Sequence, residues 1–392
     1  MSISSLRAAG MAAALGIALA LAGCSTVKLD TPEAKPEQPL ILQPAVTLAA
    51  PSFADLPGWE SDDLRAAWPA YLASCQSLAR KPDWKAPCSA ARTVDPHNGD
   101  AIRRHFELYF TPRQIINPDG TDTGMATGYY EPLLNGSHKR GGRFQTPLHS
   151  PPGDLLTVDL SASYPELKGG RPRGRREGNR LVPYLTRAEI AQSKAMSQNV
   201  LLWVDDPVDA FFLQVQGSGR IRLADTGETV RVAYADTNGH PYRSIGRHLV
   251  ERGELTLEQA SAQGIKGWCA LNPSRMQELL NVNPSYVFFR VERLRNPQQG
   301  PKGALGVPLT PQRSIAIDPQ FVPLGAPVFL STTQPGSGQP LNMLVLAQDT
   351  GSAIRGAVRA DYFWGFGHEA GEQAGKMKQR AKMWLLTPRS NL

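Results

Sequence analysis

The C-terminal region, Ala304 to Leu392, contains short apolar runs, each stopped by proline or glycine. From Ser314 the chain reads SIAIDPQFVPLGAPVFLS, and from Leu341 LNMLVLAQDTG. Apolar runs of this length bounded by turn residues describe short buried strands. Proline cannot donate to a ladder, so Pro319, Pro323 and Pro327 mark the bends between strands. No long helical pattern alternates with these runs. A doubly wound sheet is therefore disfavoured, and a small barrel is the expectation, followed by a Gly-rich tail.

The rest of the chain divides by its periodicity. Leu64 to Ala79 repeats apolar residues at helical spacing (Leu64, Trp68, Tyr71, Leu72, Cys75), and AIRRHFELYF from Ala101 continues it. The segment before Gly120 is thus expected to be mainly helical. From Gly128 to about Arg290, LLTVDL, NVLLWV, AFFLQVQGSG, ETVRVAYA and SYVFFRV read as short strands. TRAEIAQSKA and Ser244 to Leu280 read as helical interruptions. With 36 Gly and 33 Pro, turns and short strands are favoured over long helices. Roughly 340 residues after the N-terminal segment leave room for two domains of the usual size.

That N-terminal segment has the pattern of export. Arg7 precedes the apolar run Ala8 to Ala22, too short for a permanent transmembrane helix, so residues 1–23 are expected to be a signal peptide. It ends in Leu21-Ala22-Gly23-Cys24, which resembles a bacterial lipobox with Cys24 as the lipidated residue. Ser25 stands where an inner-membrane lipoprotein usually carries Asp, which implies the periplasmic face of the outer membrane. Residues 24–51, rich in Pro, Thr, Ala and Lys, are a spacer.

The net charge of +7 raises the question of nucleic acid. The basic segments HKRGGRF and KGGRPRGRREGNR carry no regularly spaced stacking aromatics, and an exported chain does not meet chromosomal DNA, so nucleic acid is excluded. An anionic polymer such as the cell wall fits better, with a solvated basic loop as the plainer reading of the same segments. Of the 4 cysteines, Cys75 and Cys88 lie close enough in sequence to bridge in an oxidising compartment, leaving Cys269 odd. No pattern of cysteine and histidine suggests a metal, and no cofactor is expected.

Three aspartates then attract attention. Asp318 closes the strand Ile315-Ala316-Ile317; Asp349 ends LVLAQ and opens a Thr-Gly-Ser turn; Asp361 precedes Tyr362-Phe363-Trp364. Apolar surroundings raise a carboxyl's pKa, so the aromatic flank suits Asp361 to general-acid work, while a turn with free amides suits a charged Asp349. Spacing alone leaves two plainer readings standing: a turn cap for Asp349 and a solvent-facing strand position for Asp361. Asp349-Thr350-Gly351 also matches the aspartic-protease tripeptide, which recurs at Asp122-Thr123-Gly124 and Asp225-Thr226-Gly227, but that chemistry needs two such loops facing one another to share one proton, and a tripeptide this frequent in one chain is no signature by itself.

The motifs ATGYYEP (126–132), FLQVQGSG (212–219), NGHPYRSIG (238–246) and NPSYVFF (283–289), together with the three aspartates, resemble the membrane-bound lytic murein transglycosylase A family. The likeness runs in the family's order through essentially everything after the spacer, and its C-terminal part is similar to the 3D domain, about 304–392. It implies a mainly β fold with some helix. A double-psi β-barrel would be formed by 52–130 and 291–392, a smaller β-domain inserted at 131–290, and a groove would separate them. It further implies cleavage of the β-1,4 bond between N-acetylmuramic acid and N-acetylglucosamine in peptidoglycan, leaving a 1,6-anhydro end. Asp361 would be the single acid and base, Asp349 its supporting partner and Asp318 a strand-end acceptor. Thr127, Tyr129, Tyr130, Gln216, Ser218 and Tyr242 would line the groove. Glycan strands are the implied substrate, and proteins of cell-wall synthesis and hydrolysis are further partners at such a location. Two departures stand out: Gly351-Ser352 replaces the family's Gly-Gly, and the stretch from Lys168 to Asn179 is longer and more basic than expected. A wall-binding lipoprotein without catalysis, built on the same barrel, is the competing class.

Overall fold

The computed structural model describes residues 52–159, 163, 172–294, 296–351 and 353–389. The leader, Cys24, the spacer to Pro51, Lys168 and Ser352 lie outside them. No helix among the described residues is long and apolar enough to cross a membrane.

Three helices come first: α1 (Trp68–Leu78), α2 (Pro82–Ala90) and α3 (Gly99–Tyr109). The strands β1 (Phe110–Gln114) and β2 (Gly124–Glu131) follow. At the other end of the chain lie β12 (Ser314–Ile317), β13 (Pro327–Thr333), β14 (Pro340–Thr350), β15 (Arg359–Phe366), helix α9 (His368–Lys376) and β16 (Lys378–Pro388). Six of these strands close into a barrel in the order β16, β13, β14, β12, β15, β2 and back to β16, with β1 added outside β16. The stretch expected as a Gly-rich tail is therefore a helix and an eleven-residue strand that closes the barrel. Its small residues concealed the pattern, because Ala370, Gly371 and Ala374 are the buried side of α9.

Both faces of the barrel wall are buried in places, which is why LNMLVLAQ is almost continuously apolar. Val345 and Ala347 point into the barrel core with Val328, Leu330 and Met383. Leu344 and Leu346 point the other way, into a second core shared with Phe329, Trp384 and the N-terminal helices. The helical layer is also pinned by polar contacts. Arg313 makes a bidentate pair with buried Asp62, whose carboxylate accepts the Leu344 amide at 2.7 Å. A disulfide joins Cys75 of α1 to Cys88 of α2, and Cys269 is free and buried.

The middle of the chain forms its own sheets. β3 (Leu133–Ser137), β4 (Thr146–His149), β8 (Val200–Val204), β9 (Ser218–Leu223), β10 (Thr229–Thr237) and β11 (Val287–Arg293) make a six-stranded sheet in the order β11, β10, β9, β3, β8, β4. A small three-stranded sheet holds β5 (Leu156–Thr157), β6 (Arg173–Glu177) and β7 (Arg180–Pro183), so among the described residues of LLTVDL only Leu156 and Thr157 become strand. The helices here are α4 (Arg187–Gln192), α5 (Pro207–Gln216), α6 (Ile245–Glu251), α7 (Ala262–Leu271) and α8 (Met276–Asn281).

AFFLQVQ, read as a strand, belongs to α5 instead. Asp206 caps its N-terminus by accepting the amides of Val208 and Asp209, Pro207 occupies the first turn, and Gly217 at φ 80° ends it. Those end signals outrank the strand propensity of Phe and Val. Ala210 and Leu213 face the sheet, while Val208 and Phe211 face the core shared with α6, α7 and α8.

A buried ion cluster stands where β2 leads into this middle segment. Glu131, fully buried at the end of β2, accepts from Arg220 Nε of β9 at 2.8 Å and from Arg231 Nε of β10 at 2.5 Å. The two guanidiniums also donate to the carbonyls of Pro297 and Gln299, on the return path to the barrel. Arg220 lies 3.6 Å from the ring centre of Phe366, at the end of β15. Every charge in this cluster is paired or hydrogen-bonded, as burial demands.

Candidate active site

Strand parity decides which side chains meet. On β15, Ala360, Tyr362 and Trp364 point into the barrel core. Asp361 and Phe363 therefore share the opposite face. The aromatic flank expected around Asp361 is thus split, and only Phe363 is on its side. On the neighbouring strand Ala126 points inward, placing Thr127 and Tyr129 outward, in register with Asp361 and Phe363. Gly128 between them faces inward, where a Cβ would lie 2.7 Å from Trp364 Nε1 and 2.8 Å from the Cα of Ala374. That position of ATGYYEP has room for glycine alone.

Asp349 reaches the same face through an irregularity. Ile315 of β12 pairs with Ala347, but the next residue, Ala316, pairs with Asp349, so Gln348 is an extra residue in β14. Simple alternation from inward-facing Ala347 would turn Asp349 into the barrel. The bulge reverses it. Gln348 is held by the Ala70 carbonyl at 2.7 Å and by the hydroxyls of Ser74 and Ser314 at 3.0 and 2.6 Å.

The hydrogen bonds of the two carboxyls differ in kind. Asp361 Oδ1 accepts from the Thr127 hydroxyl at 2.5 Å. Arg359, two residues earlier, donates from Nη2 to the same Thr127 oxygen at 2.9 Å. Asp349 accepts three donors: the amides of Ala304 and Thr350, each at 2.9 Å, and the Tyr129 hydroxyl at 3.0 Å. Tyr129 stacks on Phe363 with ring centres 5.2 Å apart. The loop carrying Ala304 lies close over β14, with Gly303 placed so that a Cβ would come 2.5 Å from the Gln348 carbonyl.

Burial pushes the Asp361 carboxyl up to about 6; the Thr127 hydrogen bond and the Arg359 charge pull it down, and the Asp349 charge adds to the rise. Burial also raises Asp349, opposed by the Ala304 and Thr350 amides and the Tyr129 hydroxyl. The Tyr129 hydroxyl is held well above its ordinary range, first by burial and then by the charges of Asp349 and Asp361, so it stays protonated and donates. A group titrating near 6 can give and take a proton near neutral pH, which is what general acid–base work needs.

The other expected site residues are spread more widely. Asp318, 2% exposed, accepts the amides of Gln320 and Gly356 at 3.2 and 2.9 Å; its partners are those backbone groups and, at 3.8 Å, Arg355, not either of the other aspartates. Gln216, the last residue of α5, accepts the Tyr130 amide at 3.2 Å. Ser218 begins β9 and is half-buried, and Tyr242 is 41% exposed. Sequence reasoning missed Arg359, although its alternation with Asp361 on a strand was a usable signal. It also missed the Glu131 cluster, which no local pattern announces. Two open surface hollows, one beside Asp63 and Arg103, the other beside Asp122 and Arg380, contain none of the three aspartates.

Fold and site together define a closed β-barrel enzyme frame with one buried carboxyl poised near neutrality. Residues 125–290 match the family described as the MltA specific insert domain, and residues 313–387 match the 3D domain. The membrane-bound lytic murein transglycosylase A of Escherichia coli (strain K12) is 34% identical over 279 residues, covering 70% of this chain and 68% of that protein. Among solved structures, the lytic transglycosylase LtgG of Burkholderia pseudomallei is 48% identical with a TM-score of 0.61, covering 89% of this chain and 98% of that one. The E. coli MltA structure with bound chitohexaose is 26% identical with a TM-score of 0.64, covering 90% and 97%. The chain belongs to the membrane-bound lytic murein transglycosylase A family, a family of peptidoglycan-degrading lyases.

Proposed function

We propose that this protein cleaves the β-1,4 bond between N-acetylmuramic acid and N-acetylglucosamine without water, leaving a 1,6-anhydromuramyl end. The observation that carries this reading is the asymmetric environment of Asp361. One of its oxygens is fixed by Thr127, the other has no hydrogen-bond partner among the described residues, and burial holds the group near 6. The neutral acid gives its proton to the glycosidic oxygen as the bond to C1 breaks. The resulting carboxylate takes the proton of the C6 hydroxyl as O6 attacks C1. One proton leaves Asp361 and one returns, so the cycle closes with no second carboxylate and no activated water. A hydrolase would instead need a second carboxylate as nucleophile or base.

In this reading Asp349 braces the loop around the acid and Asp318 fixes the end of β12. Its hydrogen bonds to two amides and a tyrosine suit Asp349 to a supporting role rather than to proton transfer. The glycan lies in a groove between a barrel unit, 52–130 with 291–392, and an inserted unit, 131–290. Tyr130, Gln216, Ser218 and Tyr242 line it. Gln216 retains an amide NH₂ for a sugar hydroxyl after accepting from Tyr130, and the half-exposed Tyr242 ring suits an apolar sugar face. The related enzyme with bound chitohexaose supports a glycan ligand. Lipidated Cys24 tethers the protein to the periplasmic face of the outer membrane, and the spacer gives it reach into the wall.

Purified protein incubated with isolated sacculi should release anhydro-muropeptides detectable by mass spectrometry. Products with reducing ends would make it an ordinary hydrolase, and unchanged sacculi would make it a binding module.

A further inference from the structure

The Thr127 hydroxyl has one proton and two neighbours, and they decide where that proton points. Arg359 Nη2 lies 2.9 Å from Thr127 Oγ1, and Asp361 Oδ1 lies 2.5 Å from it. A guanidinium only donates, so Arg359 occupies a lone pair of Oγ1 and never accepts from it. The hydroxyl proton has no acceptor other than Asp361 Oδ1 among the described hydrogen bonds. The chain of donors therefore runs one way, from Arg359 to Thr127 to Asp361.

We infer that Arg359 is a positioning residue for the acid: by fixing the Thr127 hydroxyl as a donor to Oδ1, it confines the transferable proton of Asp361 to Oδ2. This rests on the reading of Asp361 as the acid. Oδ2 takes no protein partner among the described residues and is not among their sealed, unpaired polar atoms, so it is the oxygen open to substrate. Oδ1, already accepting the Thr127 hydrogen bond, is the poorer place for the acid's proton. Without Arg359 the hydroxyl could turn and accept from a neutral Asp361, drawing the proton into the protein and away from the glycosidic oxygen.

The guanidinium is itself fixed in place. Arg359 Nη1 donates to the carbonyl of Ala360 at 2.5 Å and to that of Met125 at 3.4 Å, on the two strands that carry the acid and the threonine. The charged and titratable groups around Asp361 come from each neighbouring element. β15 supplies Arg359, β14 Asp349 and β2 Tyr129. β16 places Lys378 opposite Thr127 in the ladder, β12 offers the uncharged Ala316, and α9 buries Ala370, Gly371 and Ala374. Among these, Arg359 alone donates to the Thr127 hydroxyl in the described hydrogen bonds.

A double-mutant cycle on the full chain tests the inference, read by pH–rate profiles on purified glycan strands and by 13C NMR titration of Asp361. Thr127→Val should lower kcat about tenfold and move the alkaline limb upward, because the carboxylate loses a donor. Arg359→Met should do the same, and in the Thr127→Val background it should change kcat less than about twofold. Thr127→Ser, which restores the hydroxyl, should return the limb to its original position. Losses that simply multiply, or a Thr127→Val limb that stays in place, would overturn the inference. If Arg359→Met does not fold, the Val and Ser variants at Thr127 still decide it through limb position and titration. Full activity in Asp361→Asn would instead remove the acid reading itself, a result visible before the cycle is run.

Discussion

Asp349 and Asp361 flank one residue: Ala316 of β12 is the register partner of Asp349 on one side and of Asp361 on the other. Two strand spacings of about 4.8 Å each thus separate their backbones. The bulge at Gln348 puts both on the same face, close enough for the Asp349 charge to raise Asp361. Asp349→Asn removes that charge, so the Asp361 pKa should fall and the alkaline limb of activity, set near pH 6 in the parent, should move to lower pH. A limb that moved upward would contradict the arrangement.

On the proposed mechanism, Asp361→Asn should lower turnover by about 10²–10⁴-fold while leaving glycan binding in place, since in it no second carboxylate takes over the proton. The same substitution should stabilise the fold at alkaline pH. A buried aspartate whose pKa rises from 3.8 to about 6 is bound more tightly to its proton in the folded state. Its contribution is present below the unfolded value and lost as pH rises through about 6. Asparagine carries no such penalty. Denaturant melts of both proteins across the range from pH 3.8 to pH 8 should show the variant's advantage growing with pH and levelling off above about 6.

Glu131→Gln should be among the more destabilising single changes in the chain. It leaves Arg220 and Arg231, 6% and 7% exposed, without their carboxylate. Breaking a buried pair from one side costs about 3–5 kcal/mol. Urea unfolding monitored by tryptophan fluorescence measures this directly. A loss below about 1 kcal/mol would mean that the carbonyls of Pro297 and Gln299 satisfy both guanidiniums by themselves.

The Cys75–Cys88 disulfide closes a short loop with a sequence separation of 13, which should contribute about 3 kcal/mol by restricting the unfolded chain. The paired substitution Cys75→Ala and Cys88→Ala should lower the unfolding midpoint by a corresponding amount. The kcat on sacculi should be unchanged while the fold holds, because the Ala70 and Ser74 contacts to Gln348 involve neither cysteine and no described hydrogen bond joins α1 or α2 to Asp349 or Asp361. An activity loss matching the stability loss would show that the helical layer shapes the site.

On the lipobox reading, Cys24→Ser should yield a soluble periplasmic protein that still digests isolated sacculi, because in that reading acyl chains position the enzyme and contact no sugar. Cell fractionation is the measurement. A serine variant still found with the membrane would remove the lipobox reading.

The sequence by itself determined three strands of the barrel, β12, β13 and β14, together with the three aspartates and the family. Apolar runs bounded by proline and glycine are local facts, and so is the capped start of α5 at Asp206-Pro207, although Phe211 and Phe212 masked it. Local pattern also named Asp361, but for a reason that parity removed: Tyr362 and Trp364 face the barrel core, and Phe363 remains beside it. Tertiary structure decided the rest. Whether Asp349 faces the barrel core or the site depends on one extra residue in β14, and only pairing with β12 reveals it. The Thr127–Asp361 hydrogen bond spans 234 positions, and the Glu131–Arg231 pair spans 100. Their partners are chosen by strand order, because burying a charge forces it to find whichever opposite charge or carbonyl the closed barrel brings near.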